Sequence, residues 1–208
     1  MNIECFPLGI AVTNAWLVYD EPSKRGVVID PGQDPEPLIE RIGRLGLKIE
    51  AILLTHAHFD HIAGLEEVRK ITGAPVCLHK EEADWPGNPE KNGSAWWPGL
   101  EPVRCREPER MLTGGETLDL IGTKVEVWHT PGHSPGSVSY LFDNVVFGGD
   151  VLFKDGIGRF DLPGGNYSVL MESIGKLMEL PEETVVCPGH GPKTTIGREQ
   201  EMNPYVTG

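Results

Sequence analysis

Residues 49–61 read IEAILLTHAHFDH, and this stretch decides the fold. Its first six residues are apolar apart from Glu50, as in a strand buried inside a protein. After His61, apolar side chains recur at helical spacing as far as Ile71. The polar residues between them are therefore expected on a loop that joins a buried strand to a helix. Layered α/β folds bind their ligands at such loops.

This loop carries four side chains that bind divalent metals: His56, His58, Asp60 and His61. Imidazole nitrogens and carboxylate oxygens are preferred ligands of zinc and related ions. His56 and His58 alternate, so on an extended backbone both point the same way. Asp60 and His61 follow the turn of the chain and are expected to face a second point. Four donors this close together predict two adjacent metal ions.

Three later donors, His133, Asp150 and His190, each follow a predicted strand. The strands are expected at residues 124–128, 145–147 and 184–187. Each donor lies beside glycines, which let the backbone approach a neighbour closely. Together with the first four donors they make a set of seven. Such a set suits two ions with a water between them.

The composition suits a globular protein, since 39% of the 208 residues are hydrophobic. We predict a single domain over residues 1–208. The formal net charge of −13, with no local basic patch, argues against nucleic acid as a partner. No run approaches the roughly 18 apolar residues of a membrane span, so no membrane partner is expected. The first residues lack a secretory pattern, which predicts a cytoplasmic location.

Residues 86–109 have no hydrophobic period and are predicted to form a long irregular loop. Loops of this length are often lids or binding loops. The adjacent Trp96 and Trp97 either cover a pocket or anchor the loop by packing inward. The sequence is compatible with both roles.

Four motifs in this sequence together resemble the metallo-β-lactamase superfamily. They are THAHFDH at 55–61, TPGHSPGS at 130–137, GGD at 148–150 and PGHG at 188–191. The resemblance implies an α/β fold, a four-layer αββα sandwich of two similar halves.

The same resemblance implies a role for each donor. The first metal would be held by His56, His58 and His133. The second would be held by Asp60, His61 and His190, and Asp150 would bridge both. Two divalent ions are expected, zinc first, with iron or manganese as alternatives because the donors suit all three.

Within the superfamily, the run GIGR at 156–159 resembles glyoxalase II, which hydrolyses glutathione thioesters. The resemblance implies that Arg159 contacts the glutathione part, and Phe160 beside it is assigned to substrate binding. Residues 158–165, GRFDLPGG, resemble the short single-domain bacterial hydrolases of this type. Two tyrosines of the family are replaced, by Asp161 and Pro192. The helical C-terminal domain of the larger enzymes is not expected.

The expected function is a dinuclear-metal hydrolase that cleaves a small-molecule thioester such as S-lactoylglutathione. Metal-bridged hydroxide would attack the carbonyl, with Asp60 and Asp150 orienting it. One alternative is a mononuclear iron persulfide dioxygenase. Another is a hydrolase of lactones or other esters in the same superfamily. Asp150 disfavours a β-lactamase, since those enzymes generally lack the bridge. No oligomeric state is predicted.

Overall fold

Two six-stranded sheets form the centre of the computed structural model, which describes residues 1–207. The strands are β1 Asn2–Leu8, β2 Thr13–Asp20, β3 Arg25–Ile29, β4 Lys48–Leu53, β5 Val76–His79, β6 Arg110–Leu112, β7 Thr117–Leu120, β8 Thr123–His129, β9 Val138–Phe142, β10 Val145–Gly149, β11 Leu152–Phe153, β12 Gly156–Ile157, β13 Val185–Pro188 and β14 Thr194–Thr195. The helices are α1 Glu36–Leu45, α2 Phe59–Ile62, α3 Leu65–Thr72, α4 Tyr167–Leu177, α5 Ile196–Met202 and α6 Pro204–Thr207. Two single-turn 3₁₀ helices cover Lys80–Glu82 and Ser94–Trp96.

The two sheets are both mixed. The first runs in the order β1-β2-β3-β4-β5-β6, antiparallel up to β3 and parallel from β3 to β6. The second runs β14-β13-β10-β9-β8-β7, with β10 and β13 parallel and the other pairs antiparallel. Strands β11 and β12 form a separate small hairpin.

Three apolar cores separate four layers. Alternation along β3 turns Val28 toward the helix layer, with Leu38 and Leu65, while Ile29 faces the other sheet. The second core fills the space between the sheets. The third, which includes Leu170, lies between the second sheet and the layer of α4 and α5. The predicted four-layer αββα sandwich is therefore confirmed.

The predicted helix after the histidine-rich stretch is broken in two. Residues Asp60 and His61 lie inside the single turn of α2 instead of on the loop before a helix. The break follows from Gly64, whose N–H donates to the Pro31 carbonyl at 3.0 Å and so leaves the helical pattern. A Cβ at Gly64 would lie 2.9 Å from Pro35, so only glycine allows this close approach.

The long loop is confirmed over residues 86–109, where a single 3₁₀ turn is the only regular element described. Among residues 1–207, no helix is both long enough and apolar enough to cross a lipid bilayer.

Candidate metal centre

The predicted ligands come together at the same edge of both sheets. Backbone hydrogen bonds join the sheets there: Asn14 N–H donates to the Gly189 carbonyl at 2.7 Å and Val138 N–H to the Thr55 carbonyl at 2.8 Å. The Asn14 side chain also donates to the carbonyls of Pro188 and Gly191. These bonds hold the loop of His190 against the first sheet.

The first ligand group consists of His56, His58 and His133, all nearly fully buried. His133 Nε2 lies 2.9 Å from His58 Nδ1 and 3.2 Å from His56 Nε2. A single proton cannot satisfy three nitrogens at once, whereas one cation can. In a tetrahedral zinc site with bonds near 2.0–2.1 Å, neighbouring ligand atoms lie about 3.3 Å apart. The donors therefore fit a metal ion.

The tautomers of this group are set by hydrogen bonds outside it. His133 Nδ1 donates to the Arg159 carbonyl at 2.7 Å, which leaves Nε2 free to bind. His56 Nδ1 lies 3.0 Å from Thr55 Oγ1, and this hydroxyl already donates to Asp30. The hydroxyl therefore accepts from His56, whose Nε2 is left free as well.

The second group consists of Asp60, His61 and His190. Asp60 Oδ2 lies 3.4 Å from His61 Nε2 and 3.2 Å from His190 Nε2, and it accepts from the Thr13 hydroxyl at 2.7 Å. Asp150 lies between the two groups: Oδ2 is 3.5 Å from His190 Nε2 and 3.7 Å from His133 Nε2.

Two buried atoms in this centre have no hydrogen-bond partner among the described residues. They are His61 Nε2 and Asp150 Oδ1, which lie 3.4 Å apart. Leaving such atoms unpaired costs about 1–3 kcal/mol each, so this buried pair suits a site that binds a cation. A cation at this point would satisfy both, which fits the predicted second metal.

Burial lowers the pKa of His56, His58 and His133, that of His58 to about 3, and the neighbouring imidazoles add to the effect. These three rings are therefore neutral, which is the form that binds metals. The first group offers three uncharged donors.

The second group has the opposite electrostatics. Burial lowers the pKa of His61 and His190, but the carboxylates of Asp60 and Asp150 outweigh it and raise both values, that of His190 to about 10. In turn, burial raises the pKa of Asp60 and Asp150, and the facing imidazoles outweigh it and lower both. Two carboxylates thus attract positive charge to this point.

Asp30 holds the ring of His61 in the second group by accepting a hydrogen bond from it, a role that the sequence analysis does not assign. Its carboxylate accepts from His61 Nδ1 at 3.0 Å, from Thr55 N–H at 2.8 Å and from the Thr55 hydroxyl at 2.7 Å. Its backbone is held at φ 51°, a region that aspartate tolerates better than most residues. The signal was present, since Asp30 follows a buried strand just as Asp150 does.

A cavity of about 800 Å³ opens over the centre. Five of the seven donors reach its wall, together with apolar side chains of the long loop. The lining residues are Ile10, Ala11, His58, Phe59, Asp60, Glu90, Lys91, Asn92, Gly93, Trp96, Trp97, His133, Asp150, Arg159, Leu162, Pro163 and His190. The long loop thus forms part of the cavity wall.

The two tryptophans combine the two predicted roles, anchoring the loop and covering a pocket. Trp97 packs against Phe59 with ring centroids 5.2 Å apart, as an anchor would. Trp96 is 70% exposed, and both line the cavity. The loop is therefore both anchored and part of the pocket.

The two predicted substrate-binding residues differ in position. Arg159 lines the cavity, and its guanidinium forms a double hydrogen bond with Asp161 at 2.8 and 2.9 Å. Phe160 does not line the cavity and packs instead on Tyr167, with ring centroids 4.9 Å apart. Its assignment to substrate binding therefore receives no support from the cavity.

Comparison with known proteins identifies similar chains over nearly the whole length. A sequence model of the metallo-beta-lactamase superfamily matches residues 8–190. The probable metallo-hydrolase YqgX of Bacillus subtilis is 42% identical over 97% of this chain and 96% of its own. The hydroxyacylglutathione hydrolase GloC of Haemophilus influenzae is 37% identical over 99% of this chain and 98% of its own.

Two solved structures are also similar. The BLEG-1 B3 metallo-beta-lactamase has a TM-score of 0.95 and 46% identity, and all of both chains is covered. TTHA1623, solved in a di-iron-bound form, has a TM-score of 0.86 and 40% identity, with 97% of this chain and 99% of its own covered.

Proposed function

We propose that this chain, which belongs to the metallo-beta-lactamase superfamily, cleaves thioesters such as S-lactoylglutathione with two bound divalent metals. Its relatives include a probable metallo-hydrolase. Its donors also form three overlapping groups with the geometry of a metal site, and two of these groups share no residue. The chain is accordingly a metal-dependent hydrolase, and the proposal concerns its substrate and its metals.

The observation that carries the proposal is the position of Asp150 between the two ligand groups. Its two oxygens face His61 on one side and His190 and His133 on the other. Seven donors around two points favour two ions over the mononuclear alternative. Zinc remains the first choice, and the di-iron form of TTHA1623 supports iron as the alternative.

Two metal ions held by these donors would supply a hydroxide near neutral pH and polarise the substrate carbonyl. The protein residues do the positioning. Asp60 and Asp150 line the cavity and would orient this nucleophile toward the substrate. Thr13 holds Asp60 in place by donating to Oδ2. Because a thiolate is a good leaving group, no strong general acid is needed.

The cavity wall suits a thioester of glutathione. Arg159 and Lys91 line the cavity in exposed pairs with Asp161 and Asp84, and both carboxylates of glutathione would be attracted to these two cations. The Arg159–Asp161 pair is exposed, with side-chain exposures of 59% and 64%. An exposed pair contributes only about 0–1 kcal/mol, so a substrate carboxylate can replace Asp161 at little cost. The similarity to GloC also supports this substrate.

A second candidate is β-lactam hydrolysis, which the similarity to the BLEG-1 enzyme favours. Both substrates present a carbonyl beside a leaving group to the same centre. They differ in the leaving group, a thiolate in one case and a ring amide nitrogen in the other.

The two candidates are separated by assaying the zinc-loaded and iron-loaded protein with S-lactoylglutathione and with a chromogenic cephalosporin. We expect kcat/KM for the thioester to exceed that for the cephalosporin by at least about 100-fold, a difference of roughly 2.7 kcal/mol in transition-state binding. The reverse order would contradict the proposal. Oxygen consumption with glutathione persulfide, without thioester cleavage, would establish the dioxygenase alternative instead.

A further inference from the structure

Glu82 is a fully buried carboxylate beside the metal centre that the proposed chemistry does not use. It ends the 3₁₀ turn after β5 and is 0% exposed. None of the ion pairs among residues 1–207 includes it. Burying a carboxylate without a cation costs stability unless its oxygens are hydrogen-bonded.

Three groups donate hydrogen bonds to this carboxylate. Ala57 N–H donates to Oε2 at 2.6 Å. On the other oxygen, Gly136 N–H donates at 2.8 Å and the Ser134 hydroxyl also donates. The carboxylate is therefore satisfied by two separate segments of chain.

These two segments carry all three histidines of the first ligand group. Ala57 stands between His56 and His58, and Ser134 follows His133 directly. The first segment extends from β4 of the first sheet, and the second follows β8 of the second sheet. Glu82 thus ties together two loops that must both be in place for the three histidines to meet.

The loop of His133 is shaped to fit Glu82. A Cβ at Gly136 would lie 2.8 Å from Glu82 Cγ, so only glycine lets the loop approach this closely. Burial raises the pKa of Glu82 to about 7, against the three hydrogen bonds that lower it. An apolar side chain would fill the space without this cost but could not hold the two loops.

We propose that Glu82 is a positioning residue that sets the separation of His56, His58 and His133 for one metal ion. This inference rests on the metal centre proposed above. Its test has to separate weakened metal binding from a general loss of stability, because any change to a buried carboxylate destabilises the fold.

Glu199 provides a matched control. It is also a 0% exposed glutamate, and it accepts hydrogen bonds from Asp155 N–H, Asn203, the Thr194 hydroxyl and the guanidinium of Arg198, with which it forms an ion pair. None of these donors lies within three residues of a predicted metal ligand. Glu199→Gln therefore makes the same substitution at a second buried, hydrogen-bonded glutamate without touching the centre.

The experiment compares wild type, Glu82→Gln and Glu199→Gln. Each protein is stripped of metal and titrated with Zn²⁺ against a chromogenic chelator, and the Co²⁺-loaded forms are compared by visible absorption. We expect Glu82→Gln to weaken one of the two zinc equivalents by roughly 10–100-fold and to change the Co²⁺ spectrum. Glu199→Gln should bind both equivalents within about twofold of wild type.

A second variant, Gly136→Ala, displaces the same carboxylate without removing it and should weaken the same equivalent. Its role is decisive if Glu82→Gln does not fold. Wild-type zinc affinity and an unchanged spectrum in the folded Glu82 variant, or in Gly136→Ala, would overturn the inference. Equal weakening in Glu199→Gln would also overturn it. Wild-type protein that binds neither Zn²⁺ nor Co²⁺ nor Fe²⁺ would overturn the metal centre and this inference together.

Discussion

At the scale of single residues, Asp30 shows how much of a metal centre depends on groups that touch no metal. Its carboxylate accepts three hydrogen bonds and so fixes the ring of His61 and the turn at Thr55. In Asp30→Asn one carboxylate oxygen is replaced by an NH₂ group, which would face a donor of Thr55 or His61 instead of accepting from it. We expect metal affinity to fall by roughly 10–100-fold.

The matched control is Asp20→Asn. Asp20 is the last residue of β2, and its carboxylate accepts a hydrogen bond from the Ser23 N–H, far from the centre in sequence. Metal content after dialysis against a graded series of chelator concentrations measures the difference. Equal retention of metal by the two variants would contradict the role given to Asp30.

Glu199 gives a prediction about pH at the same scale. Burial raises the pKa of Glu199, but hydrogen bonds from Thr194, Asp155, Arg198 and Asn203 outweigh it, so the pKa lies below its ordinary value of 4.5. Its contribution to stability is therefore present above pH 4.5 and is lost as the pH falls through the lower, folded-state pKa.

We expect Glu199→Gln to be less stable than wild type by about 1–3 kcal/mol at neutral pH, because it removes hydrogen bonds to a charge. The difference should shrink on acidification, since the wild-type carboxylate then becomes protonated. Thermal unfolding of the metal-free proteins between about pH 3 and pH 7 measures it. Parallel profiles of the two proteins would show that Glu199 is not the group that titrates.

The clustering of the seven donors was predictable, because four of them occupy one short stretch after a strand and three follow strands beside glycines. Asp30 and Glu82 were not recognised because their partners lie 25 to 54 residues away in the sequence. The pairing of β3 with β4 brings Asp30 to its donors, and the packing of the two sheets brings Gly136 to Glu82. Phe160 was assigned from its neighbour Arg159, and its packing on Tyr167 could not be read from the sequence.

At the scale of elements, close approach at a strand end shapes the centre. Gly189 follows β13, and a Cβ there would overlap the carboxylate of Asp150 and lie 2.7 Å from His61 Cε1. We expect Gly189→Ala to displace Asp150 and lower both metal content and activity by at least about 10-fold.

The control is Gly175, which lies on the exposed face of α4. A Cβ added there would meet no atom within 4 Å. Gly175→Ala should keep full activity and gain up to about 1 kcal/mol of stability, because alanine favours the helix. Metal content and the free energy of unfolding are measured for Gly189→Ala and Gly175→Ala. Full metal content in Gly189→Ala would contradict the proposed crowding.

The long, strongly patterned elements were predictable, and the short ones were not. Strand β4 and helix α4 follow from runs of apolar residues with a clear period. The hairpin of β11 and β12 has two residues in each strand, too few to show a period. The break between α2 and α3 depends on contacts of Gly64 with Pro31 and Pro35, which are distant in sequence.

At the scale of the whole molecule, the metal centre joins the two sheets. His56 and His58 extend from the first sheet and His133 from the second, and His61 and His190 are divided in the same way. Bound ions are therefore expected to stabilise the fold as a crosslink would. At a free metal concentration of 100 times the Kd, the stabilisation is about 2.7 kcal/mol.

For a protein of this size, that stabilisation corresponds to a rise in Tm of about 5–10 °C. Unfolding followed by calorimetry, before and after metal removal by a chelator, measures it, and adding back Zn²⁺ should restore the original Tm. An unchanged Tm after complete removal of metal would contradict the crosslinking role.

The four-layer architecture was predictable at this scale through the family resemblance that the four motifs carry. The path of residues 86–109 was not, because an irregular loop has no period to read. Its position over the centre, with Trp97 on Phe59, depends on tertiary packing alone.

Asp150 lies between the two groups of donors proposed to hold the metal ions, so its loss should abolish the proposed thioester hydrolysis. The most direct test is hydrolysis of S-lactoylglutathione, followed by loss of the thioester absorbance, with metal content determined on the same samples of wild type and Asp150→Asn. We predict about two metals per chain and turnover in wild type, and a loss of activity of at least about 100-fold with incomplete metal binding in the variant. Full activity in Asp150→Asn, or no turnover by fully metallated wild type, would contradict the proposed dinuclear thioester hydrolase.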